Sequence, residues 1–369
     1  MGKPCRHNSG KKFVMIKRQQ KWPALAGNAA GLTHYRGLMI LFLGLLAGCS
    51  EPTIQKLEGA AQGTTYHISY WSELPVDGKT IEAGVKTEFD VIDKTLSNYR
   101  TDSVIEMFNN TENTDSREVG GEIVSLVRIA QTVYRATQGC FDLTIKPLFD
   151  LWGFKGNELT IPTDAALFKT MTQIGMDKLE VVDDTHLRKK QANLKVDLSS
   201  IAQGYSVGEI SRVLEQKGIR NYLVEIGGEL KTRGHKPDSQ AWRIAVERPL
   251  PGEQVMQKII TMPMEAPMSV MTSGTYRHYF DHQGRRYSHI LDARAGRPVT
   301  HDLVSITVIH EDPAIADAWD TALLCLGQKD GMKVANAQKI AALFIQQQDK
   351  ELVESRSDSL NALNSITLH

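Results

Sequence analysis

Apolar positions along this chain fall into two rhythms and one unbroken run. Ile81, Val85, Phe89, Ile92 and Leu96 recur every three or four residues, which predicts a helix over Thr80–Leu96. Ile123, Val127, Ala130 and Tyr134 draw a second helical face over Gly121–Ala136. Thr163, just after Pro162, predicts the cap of a third helix over Thr163–Ile174. A fourth spans Ser200–Lys217 and stops at Gly218. Asp312-Pro313 opens a fifth that reaches Leu326, with Asp at the cap and Pro in the first turn. Between them lie short β-rich stretches: Thr64–Tyr70, Lys178–Val182, Leu194–Leu198, Tyr222–Ile226, Trp242–Glu247, Ile259–Met262, Arg286–Ile290, Leu303–Ile309 and Ala341–Ile345. The two kinds mix without a regular βαβ alternation, which predicts an α+β fold. There is no internal repeat, P-loop or GxGxxG.

The unbroken run is Leu38–Ala47, followed by Gly48 and Cys49. Eight basic and no acidic side chains precede it. A basic stretch, about ten apolar residues and small residues before a cleavage point describe a secretory signal. Leu-Ala-Gly-Cys resembles the bacterial lipobox, in which the cysteine is acylated and becomes the new N-terminus. The expected layout is a signal over 1–48, a lipidated tether over 49–60, one domain over 61–350 and a C-terminal tail over 351–369. An uncut hydrophobic anchor is the alternative. The long basic stretch also leaves Met15 open as the true start. More than one acyl chain on Cys49, palmitate among them, makes anchoring durable.

Composition adds exclusions. Of 369 residues, 41% are hydrophobic and 23% charged, so the chain is neither collagen-like nor disordered. The net charge of zero hides an asymmetry. Eight of 43 basic residues lie before Cys49, leaving 35 against 43 acidic ones, a net charge of −8 for the remainder. Such a body does not favour nucleic acid, whose nonspecific binding needs many phosphate neutralisations. With Cys5 lost and Cys49 lipidated, only Cys140 and Cys325 remain, too few for a disulfide framework. Two buried thiols are the expected state, with one bridge as the alternative in an oxidising compartment.

Four stretches are dense in glycine, small residues and carboxylates: Gln62–Thr65, Gly139–Leu148, Val196–Tyr205 and Ala316–Ala322. In the third, an acid ends a β-rich run and a helix begins at Ser199-Ser200. A helix N-terminus suits a phosphate, though taken alone this is a plain Ser-capped helix. In the fourth, Asp317, Asp320 and Thr321 share a helix face. Two acids and a hydroxyl offer the hard oxygens that Mg²⁺ takes. The alternative is an acidic first turn that complements the helix dipole, but Asp320 and Thr321 sit deeper, beside Leu323 and Leu324, where an unpaired acid is costly. His289 ends a β-rich run before a turn, where it is either an ordinary strand residue or a general base.

In this order, with Leu96–Tyr99, Glu225–Glu229, Thr272–Tyr276 and Ser288–Pro298, the motifs resemble the ApbE family of FAD:protein FMN transferases. The resemblance covers roughly residues 58–350. It implies a two-part α+β fold with FAD in the cleft between the parts. Gln62 stands where the family usually has Met, against the flavin, and Tyr99 matches a tyrosine near the isoalloxazine. Cys140, Phe141 and Asp142 match the segment on the adenosine half. Asp197 and Gln203 match adenine and ribose contacts, although the family often has Lys or Glu at the Gln203 position. Leu291 would meet FAD through its backbone. The Ser200 carbonyl would join Asp317, Asp320 and Thr321 around Mg²⁺.

The implied reaction is Mg²⁺-dependent phosphoryl transfer. A threonine hydroxyl of an acceptor protein attacks the FMN-side phosphorus of FAD, the substrate, and AMP leaves. His289 is the candidate base, with Asp292 a possible neighbour. Family acceptors are flavin-carrying subunits of membrane redox pumps, such as Na⁺-translocating NADH:quinone oxidoreductase and Rnf-type complexes. They favour the periplasmic side of the inner membrane. Ser50, not Asp, follows Cys49, so the outer membrane stays open. Two rivals share these motifs: a Mg²⁺-dependent FAD pyrophosphatase and a non-catalytic flavin-binding lipoprotein.

Overall fold

The computed structural model describes residues 52–154, 156, 158–250, 256–349 and 351–369. The signal segment and Cys49 lie outside the described residues. Eight strands form the main sheet: β1 Gln55–Ala61, β2 Thr64–Trp71, β3 Asn221–Ile226, β4 Glu229–Arg233, β5 Met268–Gly274, β6 Leu303–His310, β7 Ala341–Gln348 and β8 Glu351–Arg356. They lie side by side in chain order, each antiparallel to its neighbour. The helices are α1 Gly78–Leu96, α2 Val104–Asn109, α3 Gly121–Ala136, α4 Lys146–Trp152, α5 Asp164–Met171, α6 Ala202–Gln216, α7 Pro313–Ala337 and α8 Asp358–Ala362. An antiparallel sheet with helices inserted between its strands is an α+β fold, as the sequence predicts.

Alternation along each strand divides two cores. Tyr222, Val224 and Ile226 face a helical layer that includes Ile81, Val85, Ile123, Val127, Ile210 and Leu323. Met268, Val270, Leu343 and Ile345 face the other way, against Trp242, Ile244 and Ile260 of a small antiparallel sheet. A third cluster stands apart: Leu148, Trp152, Phe154, Leu167, Leu291 and Ala293, with Phe280 and Tyr287 packed on it. This aromatic cluster packs within the same compact body, Ser50–His369.

Several boundaries differ from expectation. The stretch expected to be a tether carries β1, because Gln55–Ala61 pairs along its whole length with β2. The expected tail carries β8, α8 and the strand Thr367–Leu368, since β8 extends the main sheet beyond β7. The fold therefore exceeds 61–350 at both ends. Helix α7 continues past Leu326 to Ala337 through a kink at Gly327, whose φ is +74°.

Leu194–Leu198 is extended but is not a strand. Asp197 N–H donates to the Leu143 carbonyl at 2.7 Å, but Val196 N–H, Leu198 N–H and the Val196 carbonyl bond to side chains. Asn109 Oδ1 accepts from Val196 N–H at 2.7 Å, and Asn98 Oδ1 accepts from Leu198 N–H at 2.7 Å. Both asparagine Nδ2 groups donate to the Val196 carbonyl. Two amide side chains thus stand in for a neighbouring strand, because an amide presents the same donor and acceptor as a peptide group.

Candidate functional site

Residues from the helical layer, the main sheet and the aromatic cluster line one cavity of about 370 Å³. Tyr99, Cys140, Phe141, Asp142, Asp197, Ser200, Gln203, His289, Leu291, Asp317 and Thr321 all contribute to it. Asp320 lies fully buried just behind, and Gln62 stands apart. Gln62 occupies the tight β1–β2 turn at φ +53° and donates to Ser206 Oγ at 2.8 Å. Its side chain is thus turned to α6 rather than to this cavity.

The acidic wall is built where α6 meets α7. A Cβ on Gly204 would lie 2.3 Å from the Pro313 carbonyl oxygen and 2.6 Å from Asp317 Cβ, so only glycine lets the helices come this close. Gly204 N–H then donates to Asp317 Oδ2 at 2.7 Å. The α6 N-cap residue, Ile201, makes no side-chain cap bond. The expected serine cap is absent because α6 starts at Ala202, beyond the serine pair, and Asp317 closes its amino end from another helix. Nor is Asp317 a first-turn acid: the first turn of α7 carries none, and the N-cap is Asp312.

Asp320 Oδ1 accepts from Ser273 Oγ at 3.0 Å, and Ser273 Oγ lies 3.0 Å from Thr321 Oγ1. Asp320 Oδ2 is buried without a hydrogen-bond partner. The sequence reading missed Glu229, although Gly227-Gly228-Glu229 marks it. The turn needs φ of +60° and +99°, which glycine tolerates, and it delivers Glu229 into the cavity wall, where Thr272 N–H donates to it at 2.9 Å. Ser273 and Arg277 were also missed. Arg277 lines the cavity and donates to the Gly227 carbonyl at 3.2 Å.

The electrostatics follow from crowding acids out of water. Burial pushes Asp317 up to about 7, although N–H groups of Gly204 and Gln203 pull it down. Burial, then the charges of Glu229 and Asp317, holds Asp320 well above the usual range. Burial, then Asp317, does the same to Glu229, with Arg277 opposing. Three crowded carboxyls that resist ionising together, with one orphaned oxygen, would suit a hard divalent cation such as Mg²⁺. Among the described residues, no three acids converge within 4.8 Å of one another. A cation at α7 would rest on Asp317 and Asp320, with neutral oxygens from Thr321 and Ser200.

A second charged cluster at the rim is closed. Lys146 Nζ lies 3.0 Å from Glu106 Oε1, and Asn98 and Asn109 donate to the same oxygen. Burial alone would raise Glu106, but these bonds and the lysine charge outweigh it and hold the carboxyl below its ordinary range.

His289 Nδ1 lies 2.8 Å from the His278 carbonyl oxygen, which assigns the proton to Nδ1 and leaves Nε2 as acceptor. Burial lowers its pKa to about 4, so the ring is neutral near pH 7. Asp292 is not its neighbour in hydrogen bonding, because both carboxylate oxygens hold Arg294. Asp142 accepts from Thr144 N–H, Thr144 Oγ1 and Met176 N–H, and burial still raises it to about 6. Asp197 caps the Ser199 turn, and Gln203 donates to the Ile226 carbonyl. Cys140 and Cys325 form a disulfide, not the expected two thiols, because the fold brings their Cα atoms to 6.1 Å.

Known proteins share this chain's sequence and fold. The ApbE family profile matches residues 62–344. The chain is 36% identical over 319 residues to an FAD:protein FMN transferase of Vibrio cholerae serotype O1, covering 85% of this chain and 94% of that one. It is 34% identical over 330 residues to one of Salmonella typhimurium, covering 85% and 93%. The solved apo flavinyl transferase ApbE of Pseudomonas stutzeri superposes with a TM-score of 0.77 at 35% identity, covering 85% of this chain and 98% of that one.

Proposed function

The chain belongs to the ApbE family, and from that premise we propose that it is an FAD:protein FMN transferase whose cavity holds FAD. The observation that carries the mechanism is the buried Asp320 Oδ2 without a partner, in a wall of three acids. Asp317, Asp320, Thr321 and the Ser200 carbonyl would hold Mg²⁺. When bound, it would neutralise charge building on the pyrophosphate. Arg277 offers the cavity a guanidinium for the same oxygens. Tyr99, 80% exposed, offers its ring at the cavity's edge to the isoalloxazine.

The acceptor's threonine oxygen bonds to the FMN-side phosphorus while the bond to the AMP phosphate breaks. His289 Nε2, free and neutral, takes the threonine proton. Its low basicity makes it a weak base whose role is to orient the hydroxyl and receive the proton as the new bond forms. Lipid on Cys49 would hold the enzyme at the periplasmic face of the inner membrane. There it would meet acceptors such as subunits of Na⁺-translocating NADH:quinone oxidoreductase or Rnf-type complexes.

The test is mass spectrometry of such an acceptor incubated with the enzyme, FAD and Mg²⁺. The expected result is a mass gain of one FMN phosphoryl group on threonine with release of AMP. AMP release from FAD alone, equal with and without acceptor, would move the reading to a pyrophosphatase. Neither product would leave flavin binding without turnover.

A further inference from the structure

Helix α7 carries its chemistry on one stripe. Asp317, Thr321 and Cys325 follow one another at four-residue spacing. The first two are hard oxygen ligands, while the third is soft sulfur and lies across the cavity wall from Cys140. Cys140 Sγ, Cys325 Sγ and an Asp292 carboxylate oxygen lie within 4.8 Å of one another, and both cysteines are buried. We propose that opening the Cys140–Cys325 bridge creates a soft-metal site for Zn²⁺ from these three ligands, with a fourth position open to the cavity.

The chemistry suits zinc. Two thiolates and a carboxylate with one open place are a three-ligand tetrahedral set. At a Zn–S length of about 2.3 Å the two sulfurs sit roughly 3.8 Å apart, a separation that side-chain rotation can reach across Cα atoms 6.1 Å apart. The carboxylate is already oriented. Arg294 donates from its backbone N–H and Nε to Oδ1 and from Nη2 to Oδ2. Outer bonds of this kind fix a ligand's direction and tune its affinity.

The steps balance. A trialkylphosphine takes oxygen from water and becomes the phosphine oxide, and the two hydrogens of that water complete two thiols from the disulfide. Metal binding then displaces both thiol protons. The closed bridge has no thiolate to offer, so redox state gates the site. The inference does not rest on the transferase reading.

The probe is Co²⁺, whose thiolate charge-transfer band reports sulfur ligation and ignores an all-oxygen site. The full chain, reduced anaerobically with phosphine, is titrated with Co²⁺ after its thiols are counted. The expected result is one equivalent giving the band, displacement by Zn²⁺, and no band in the oxidised chain. Cys325→Ser and Cys140→Ser should each abolish it in protein with native circular dichroism. Asp292→Asn should weaken affinity about tenfold or more. A reduced chain without the band, a band surviving Cys325→Ser, or a bridge that stays closed in phosphine would each overturn the proposal.

Discussion

The two charged clusters at the cavity differ in one respect. Around Glu106 every buried charge has its partner inside the protein, in Lys146 and two asparagines. Around Asp320 the acids crowd one another and one oxygen has no partner at all. Burying charge without compensation is expensive. The first cluster is internally compensated, and in the second a cation would offset the crowded acids.

The largest effect should come from breaking the closed cluster. Lys146→Ala leaves Glu106 buried and unpaired, at a cost of roughly 3–5 kcal/mol, read as a lower midpoint in urea unfolding. Asp320→Asn should do the opposite to the open cluster. FMN transfer should fall about a hundredfold, near 3 kcal/mol of transition-state stabilisation, with the unfolding midpoint unchanged or higher because a repelling charge is gone. A lower midpoint with full activity would reverse the assignment of the two clusters.

Next comes Gly204→Ala, whose methyl must push α6 off α7. A loss of about 1–3 kcal/mol and weaker Mg²⁺ binding are expected, measured by thermal unfolding with and without Mg²⁺.

The open cluster should also show in pH dependence. Asp317 is raised from its ordinary value to about 7. Without cation, the folded state keeps a proton that the unfolded chain has released, so stability falls as pH rises from about 4 to 7. Mg²⁺ must displace that proton below pH 7. Its calorimetric affinity should weaken up to about tenfold per pH unit there, near 1.4 kcal/mol, and the Mg²⁺-induced rise in Tm should be larger at pH 8 than at pH 6. The smallest stability effect belongs to Tyr99→Ala, within about 0.5 kcal/mol for an exposed side chain, while FAD binding by fluorescence titration should weaken.

What the sequence disclosed depended on how local the cause was. Helix α3 has the predicted ends, and the five residues that marked α1 are its buried ones. Strand β5 was invisible because Met268–Gly274 is built of small residues and methionine, with no alternation to read. The charges of Glu229–Arg233 hid β4 in the same way. The Leu194–Leu198 segment reads as a strand because its residues are β-rich, but Val196 and Leu198 bond to asparagine side chains 87 and 100 positions away. The shared face of Asp317, Asp320 and Thr321 was legible because i, i+3 and i+4 fix a helix face. Glu229 and Arg277 reach the same cavity from other elements, and only the folded sheet brings them there.

One carboxylate has two tasks. Asp317 closes the amino end of α6 through Gly204 and also faces the cavity. Gln203, one residue earlier, donates its amide to the carbonyl of Ile226, just before the glycine turn that ends in Glu229. Occupancy at the acids and order at the start of α6 are therefore linked thermodynamically, and linkage is reciprocal. A ligand that tightens the first turn of α6 should raise cation affinity by the same factor that the cation raises its own. Amide hydrogen exchange at Gly204 would report the state of the acid its N–H holds.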